Sequence, residues 1–329
     1  MTRHRSAIAL AAFALAACDV PGRREQVVAV ETTPAEPTVT LAGGLPPKIA
    51  PETPVPPVAP TSPAVPTSVA EAQIALSSGQ FDLASTFFAT FVGNNPSNAW
   101  GHYMLGVSLH RKGDFNGAVK AFDRSLALDS TDAKTLFNAG RALLALGRDH
   151  EAFERIDAGR LLDSSSADGL RLLARAHAKL GNIDGALETY RRALVIDDDD
   201  VWTLNNLGVL YLDQGHPEAA LGPLARAVVL KGSAPIFLNN LGMALERTGH
   251  TYTARLVYQR AVDAGPSYAK AKANLDRLTL IVTDSTVSDG VVIEDLAQNF
   301  RLQVEMWKDS FPRPSIEPVV NDSVPPTRQ

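Results

Sequence analysis

The chain has 329 residues, a formal net charge of −5 at neutral pH and a single cysteine. The acidic balance argues against nucleic acid as a partner. One cysteine excludes both a disulfide framework and a thiolate metal site.

At the start of the chain, Arg3 and Arg5 precede an apolar run from Ala7 to Ala17 that closes on small residues. This is the pattern of a secretory signal over residues 1–17, and the run is shorter than the roughly 20 residues that cross a bilayer. The tetrapeptide Leu15-Ala16-Ala17-Cys18 resembles the bacterial lipobox. That resemblance implies cleavage before Cys18, lipid on its thiol and an acylated new N-terminus, which places the protein in the bacterial cell envelope, facing the periplasm. One acyl chain holds a protein to a membrane only marginally, whereas two or three anchor it stably. The alternative is an ordinary signal with an incidental cysteine. Asp19, directly after the cysteine, leans toward the inner rather than the outer membrane in some Gram-negative lineages. Loss of Arg3 and Arg5 with the signal takes the net charge from −5 to −7.

Residues 18–67 lack apolar periodicity and are interrupted by prolines, as in "LPPKIAPETPVPPVAPTSPAVP". Such a segment builds no core and reads as a disordered, semi-stiff polyproline tether reaching up to roughly 150 Å.

From about residue 65 the chain repeats itself every 34 residues. The step gives Gly79, Gly113, Gly147, Gly181, Gly215 and Gly249, and five residues later Ala84, Ala118, Ala152, Ala186, Ala220 and Ala254. A third column is small (Ala72, Gly106, Gly140, Ala174, Gly208, Gly242) and a fourth bulky (Phe88, Phe122, Ile156, Tyr190, Leu224, Tyr258). Between the small residue and the glycine, apolar side chains recur three and four apart, the stripe of an amphipathic helix. The glycine ends that helix in the left-handed conformation. The alanine then lets a second helix approach, and the bulky residue is expected to fill the gap to the next pair. Each unit is a helical hairpin that buries its apolar faces only by stacking on its neighbours.

Leu207, Gly208, Tyr211, Gly215, Ala220 and Ala227, with Pro96 and Pro266 closing the first and last units, resemble the tetratricopeptide repeat. The closing position holds Ser130, Ser164, Asp198 and Gly232 in the middle units. The resemblance implies an all-α, right-handed α-solenoid over residues 68–281: six helical hairpins starting at 65, 99, 133, 167, 201 and 235, then a polar capping helix from Ala269. The tail, 282–329, is expected to be weakly structured except for an amphipathic helix over 291–311, where Ile293, Leu296, Phe300, Val304, Trp307 and Phe311 share a face and Pro312 stops the helix. That stripe is expected to dock on the last repeat as extra capping; the alternatives are a partner-binding helix or a self-ligand for the groove.

No enzyme is expected. His110, His177, His216 and His250 fall at repeat-determined positions without metal-ligand spacing to carboxylates. The sequence holds no nucleophile elbow and no phosphate-binding glycine loop. The run Asp197 to Asp200 lacks the glycine and glutamate of a calcium loop and reads as a solvated turn. No cofactor, metal or small-molecule substrate is expected.

The family resemblance also implies that positions two, five, six, nine and thirteen of each unit face a concave groove. These give Trp100 and Tyr103; Lys134, Phe137, Asn138 and Arg141; Arg171, Arg175 and Lys179; Trp202, Asn205 and Asn206; Asn239 and Asn240; and, in the cap, Asn274 and Arg277. Trp100 and Trp202 hold the same repeat position, and Trp, Tyr and Arg dominate binding hot spots. The basic cluster suits carboxylates, including a peptide C-terminus, and the asparagines suit the backbone of an extended peptide. The alternatives are tryptophans that pack on the preceding unit and asparagines that satisfy helix ends. The expected function is a membrane-tethered scaffold or adaptor that holds a protein or peptide partner in its groove, in envelope assembly or secretion, similar to the lipidated class associated with tight-adherence pilus assembly. The alternatives are a structural subunit of an envelope complex that uses its convex face, and an adaptor of cell-wall enzymes.

Overall fold

The computed structural model of the protein describes residues 65–281 and 288–311. All of them belong to the unit Pro60–Gln329. The signal 1–17, Cys18 and the linker up to residue 64 lie outside the described residues, as do 282–287 and 312–329.

Helices alternate with short turns in the expected pairs: α1 (Val69–Ser77) with α2 (Phe81–Asn94), α3 (Ala99–Lys112) with α4 (Phe115–Leu128), α5 (Ala133–Ala145) with α6 (Asp149–Leu162), α7 (Ala167–Lys179) with α8 (Ile183–Ile196), α9 (Val201–Asp213) with α10 (Pro217–Leu230), and α11 (Pro235–Arg247) with α12 (Thr251–Ala264). The capping helix α13 (Ala269–Ile281) and the tail helix α14 (Ile293–Ser310) follow. Short polar residues start half of the fourteen helices among the described residues: Ser68, Asn98, Asp114, Asp132, Ser166, Asn182 and Asp200 each accept a hydrogen bond from a backbone N–H of the first turn, which satisfies donors the helix cannot pair internally. Between paired helices, Gly113 turns the chain at φ +92, and its five counterparts share the left-handed conformation.

Every alanine of the second column is fully buried. The bulky column works differently from its expected role. A Cβ on Gly106, Gly140, Gly208 or Gly242 would run into Phe122, Ile156, Leu224 or Tyr258 respectively. The bulky side chain therefore closes its own hairpin, lying over the small residue of the same unit.

From α3 to α13 each first helix touches the next first helix, while no second helix makes comparable contact with the next second helix. First helices therefore line the inside of a curve and second helices the outside. On that outside, α14 packs along α10 and against α8. This corrects the expectation that the tail helix caps the last repeat, and it also rules out the groove as its seat. Ala297, Phe300 and Val304 are buried there, with Ile293, Leu296 and Trp307 half-buried. Phe300 lies directly over Gly222, where any side chain would collide with it. Arg191 sits 5.4 Å from the centre of the Trp307 ring, and Lys308 pairs with Asp198 at 3.4 Å. Just before α14, Asp289 accepts hydrogen bonds from the Thr253 backbone N–H (3.0 Å) and hydroxyl (2.5 Å). It thereby caps α12, whose own N-cap residue, His250, makes no side-chain cap.

The acidic run 197–200 holds these joints together. Asp200 caps α9, Asp199 pairs with Arg226 at 2.5 Å, and Asp198 holds Lys308.

Candidate functional site

The inner wall carries a cavity of about 560 Å³ to which four successive first helices contribute: Tyr103, His110 and Arg111 from α3, Asn138 and Arg141 from α5, Arg171 and Arg175 from α7, and Trp202 from α9. A second cavity, about 310 Å³, is lined by Arg175, Lys179, Ile183, Tyr190, Asn206, Val209 and Asp213. A third, about 410 Å³, lies between Trp100, Tyr103, Asp129, Asp132 and Lys134. Arg175 faces both of the first two.

The basic cluster is largely neutralised from within. Arg141 reaches Asp168 through Nη2 at 2.7 and 3.0 Å and Asn138 through Nη1 at 2.6 Å. Arg171 pairs with the same Asp168, and its Nε lies 3.1 Å from Asp200 Oδ2 without the alignment of a hydrogen bond. Asn138 also donates to the Tyr103 hydroxyl at 3.3 Å. Arg175 makes no hydrogen bond or ion pair to any described residue. Burial, followed by the like charges of Arg171 and Arg141, lowers its pKa, against raising contributions from Tyr190 and Asp168; an arginine nevertheless keeps its charge. Burial and then Arg141 and Arg111 depress His110, so the imidazole on this wall is neutral at neutral pH. Lys134, Lys179 and Arg111 stand exposed.

Trp100 and Trp202 are each nearly half exposed, at 42% and 45%. Trp100 sets its ring edge-on to Phe88 (5.9 Å) and Phe91 (6.2 Å) of the preceding unit, and Trp202 packs edge-on to Phe237 (5.1 Å) of the following one. One side of each indole is held and the other is exposed; Trp202 lines the 560 Å³ cavity and Trp100 the third one.

Three predicted groove residues lie beneath the surface. Phe137 is buried, with Gly159 and Gly169 leaving room for its ring. Asn205 and Asn239 are 4% and 2% exposed. Asn240 donates to Asn205 at 2.8 Å and Asn274 to Asn239 at 2.9 Å. The expected role of these amides toward a guest backbone is therefore corrected: they brace successive first helices, because a buried amide without a partner is costly. Asn206 and Asn240 keep partial exposure. Sequence reasoning missed Asp168 and Asp200, which balance the arginines, and Val209, which lines the second cavity. Asp168 occupies the same repeat position as Trp100 and Trp202, which was the available signal.

Residues 162–215 match a TPR repeat model, and residues 69–133 and 205–269 match the tetratricopeptide repeat model. The chain is a tetratricopeptide-repeat protein. This TPR solenoid is similar to a thermophilic TPR protein of Thermus thermophilus at TM-score 0.50 and 21% identity, over 56% of this chain and 100% of that one. It is similar to Pseudomonas aeruginosa pilF at TM-score 0.51 and 17% identity, over 67% and 95%. A chain of the APC/C hetero-tetramer Cut9–Hcn1 gives TM-score 0.58 and 16% identity, over 69% and 47%. At these identities the likeness is one of fold. No curated protein matches the sequence. The fold suits a protein-interaction scaffold. Among the described residues no helix is long and apolar enough to cross a membrane.

Proposed function

We propose that this TPR protein is a lipid-anchored scaffold of the bacterial cell envelope that holds a polypeptide partner in its concave groove. The observation that carries this reading is the 560 Å³ cavity, built jointly by side chains of four consecutive first helices and offering the Tyr103 and Trp202 rings and the Arg175 guanidinium together. Such a surface matches the aromatic and arginine anchors of protein interfaces better than a substrate pocket. Leu15-Ala16-Ala17-Cys18 supplies the proposed anchor, and Asp19 leans it toward the inner membrane. The partner is proposed to be acidic, or to present a C-terminal carboxylate, and the pathway to be envelope assembly or secretion of the pilus type. A structural role for the convex face is less favoured, because α14 already covers α8 and α10 there.

The test is photo-crosslinking from intact membranes with the full chain, comparing a probe at Asn206 in the groove with one at Leu302 on the outer side of α14. A partner captured from position 206 supports the groove. Capture from position 302 alone sinks it. Incorporation of a labelled lipid precursor, lost in Cys18→Ser, checks the anchor.

A further inference from the structure

On the premise that the groove is the binding face, we infer that Arg175 is its anion anchor and takes one carboxylate of an extended polypeptide, with apolar neighbours of that carboxylate filling the cavities on either side. The other partly buried guanidiniums of the 560 Å³ cavity are committed. Arg141 and Arg171 are held by Asp168, and Arg171 also faces Asp200. A guest anion aimed at either would compete with an internal carboxylate already in place. Arg175 has no such partner among the described residues, and its side chain is partly buried, so an arriving carboxylate meets a charge that solvent screens less than one at the surface.

Position adds the second argument. Arg175 lines both cavities. On one side stand Tyr103 and Trp202, and on the other Ile183 and Val209. A chain threading both cavities must pass Arg175 between two apolar stations. Lys179 and Asp213 flank the second cavity with opposite signs, which favours a single carboxylate over an acidic run. A side-chain carboxylate and a chain terminus offer the same chemistry here.

Selection from two random nonapeptide libraries, one amidated and one with free C-termini, separates these sources. The baits are the full-length wild type, Arg175→Gln, Arg175→Lys, Trp202→Ala and Lys120→Gln. The expected result is enrichment of Asp or Glu at one position of the amidated peptides, or preference for the free-terminus library. Arg175→Gln should weaken that preference at least tenfold, Arg175→Lys should restore part of it and Lys120→Gln, an exposed cation on the outer helix α4, should leave it intact. Either source supports the anchor. Loss of repulsion from Arg141 and Arg171 predicts an unfolding midpoint for Arg175→Gln no lower than wild type, so lost binding is not lost folding. Three results overturn the anchor: an acid preference that survives Arg175→Gln, a wild type with no acid or terminal preference, and no enrichment at all. If Trp202→Ala loses the selected peptides while Arg175→Gln keeps them, the groove stands and the anchor falls. If neither variant loses them, both fall.

Discussion

The fourth and fifth units show two faces with opposite fates. Inside, α7 and α9 present Arg175, Asn206 and Trp202 to open cavities. Outside, α8 and α10 lie under α14, which brings its own Phe300 and Val304 to be buried. Both faces belong to the same hairpins, so the difference lies in what the chain supplies for each. It delivers an amphipathic helix to the outer face, whereas the described residues leave the inner face partly charged, partly aromatic and open. A surface closed by the protein's own helix is a structural joint, and the surface left open, with Arg175 unpartnered among the described residues, is the wall proposed to bind a partner.

The strongest way to break this contrast is Phe300→Ala. Truncating a buried Phe costs about 3–5 kcal/mol, and here the loss should fall on the joint. Amide exchange in α14 should accelerate by more than a hundredfold while α5 and α7 keep their protection. Equal loss in α5 would mean that the two faces are not separable. Next, Asn239→Ala removes the acceptor of Asn274 from a buried site and should cost about 1–3 kcal/mol, read as a lowered urea midpoint with the α14 contacts intact. Asp289→Ala uncaps α12 and should cost about 1 kcal/mol, visible as faster exchange at the first turn of α12. The smallest effect is a pH dependence of the inner wall. Burial and the neighbouring Arg141 and Arg111 hold His110 below its ordinary value of 6.5, so the unfolded chain takes up the proton first. Stability is therefore complete above 6.5 and declines as pH falls from there toward the folded value. Thermal midpoints measured at pH 7 and pH 5.5 should differ less in His110→Gln than in wild type.

The 34-residue period carried most of the fold, because each of its columns answers a local demand. Gly113 and its counterparts must turn left-handed, and Ala118 and its counterparts must admit a second backbone. These demands recur in sequence, so a single chain displays them six times. The tail helix was legible as a helix, since Phe300, Val304 and Trp307 share a face, but its seat was not. The seat did leave a trace: Gly222 stands where other units carry Thr86, Lys120, Glu154, Glu188 and Leu256, and the missing side chain is the space Phe300 needs. The groove was legible in outline only. Repeat position alone cannot tell that Asn205 and Asn239 pair with neighbouring units, because those hydrogen bonds depend on how far one hairpin rotates relative to the next. Nor could counting arginines reveal that Asp168 and Asp200 come to rest among them.

The seat of α14 has a practical corollary. Lys308 meets Asp198, so the end of this helix lies beside the fourth unit, halfway along the stack and on its back. A dye or surface linker attached at residue 311, through Phe311→Cys in a Cys18→Ser background, would hold the solenoid by its spine with the inner wall turned outward. That orientation suits single-molecule or biosensor measurements in which the immobilised protein must keep its inner wall free.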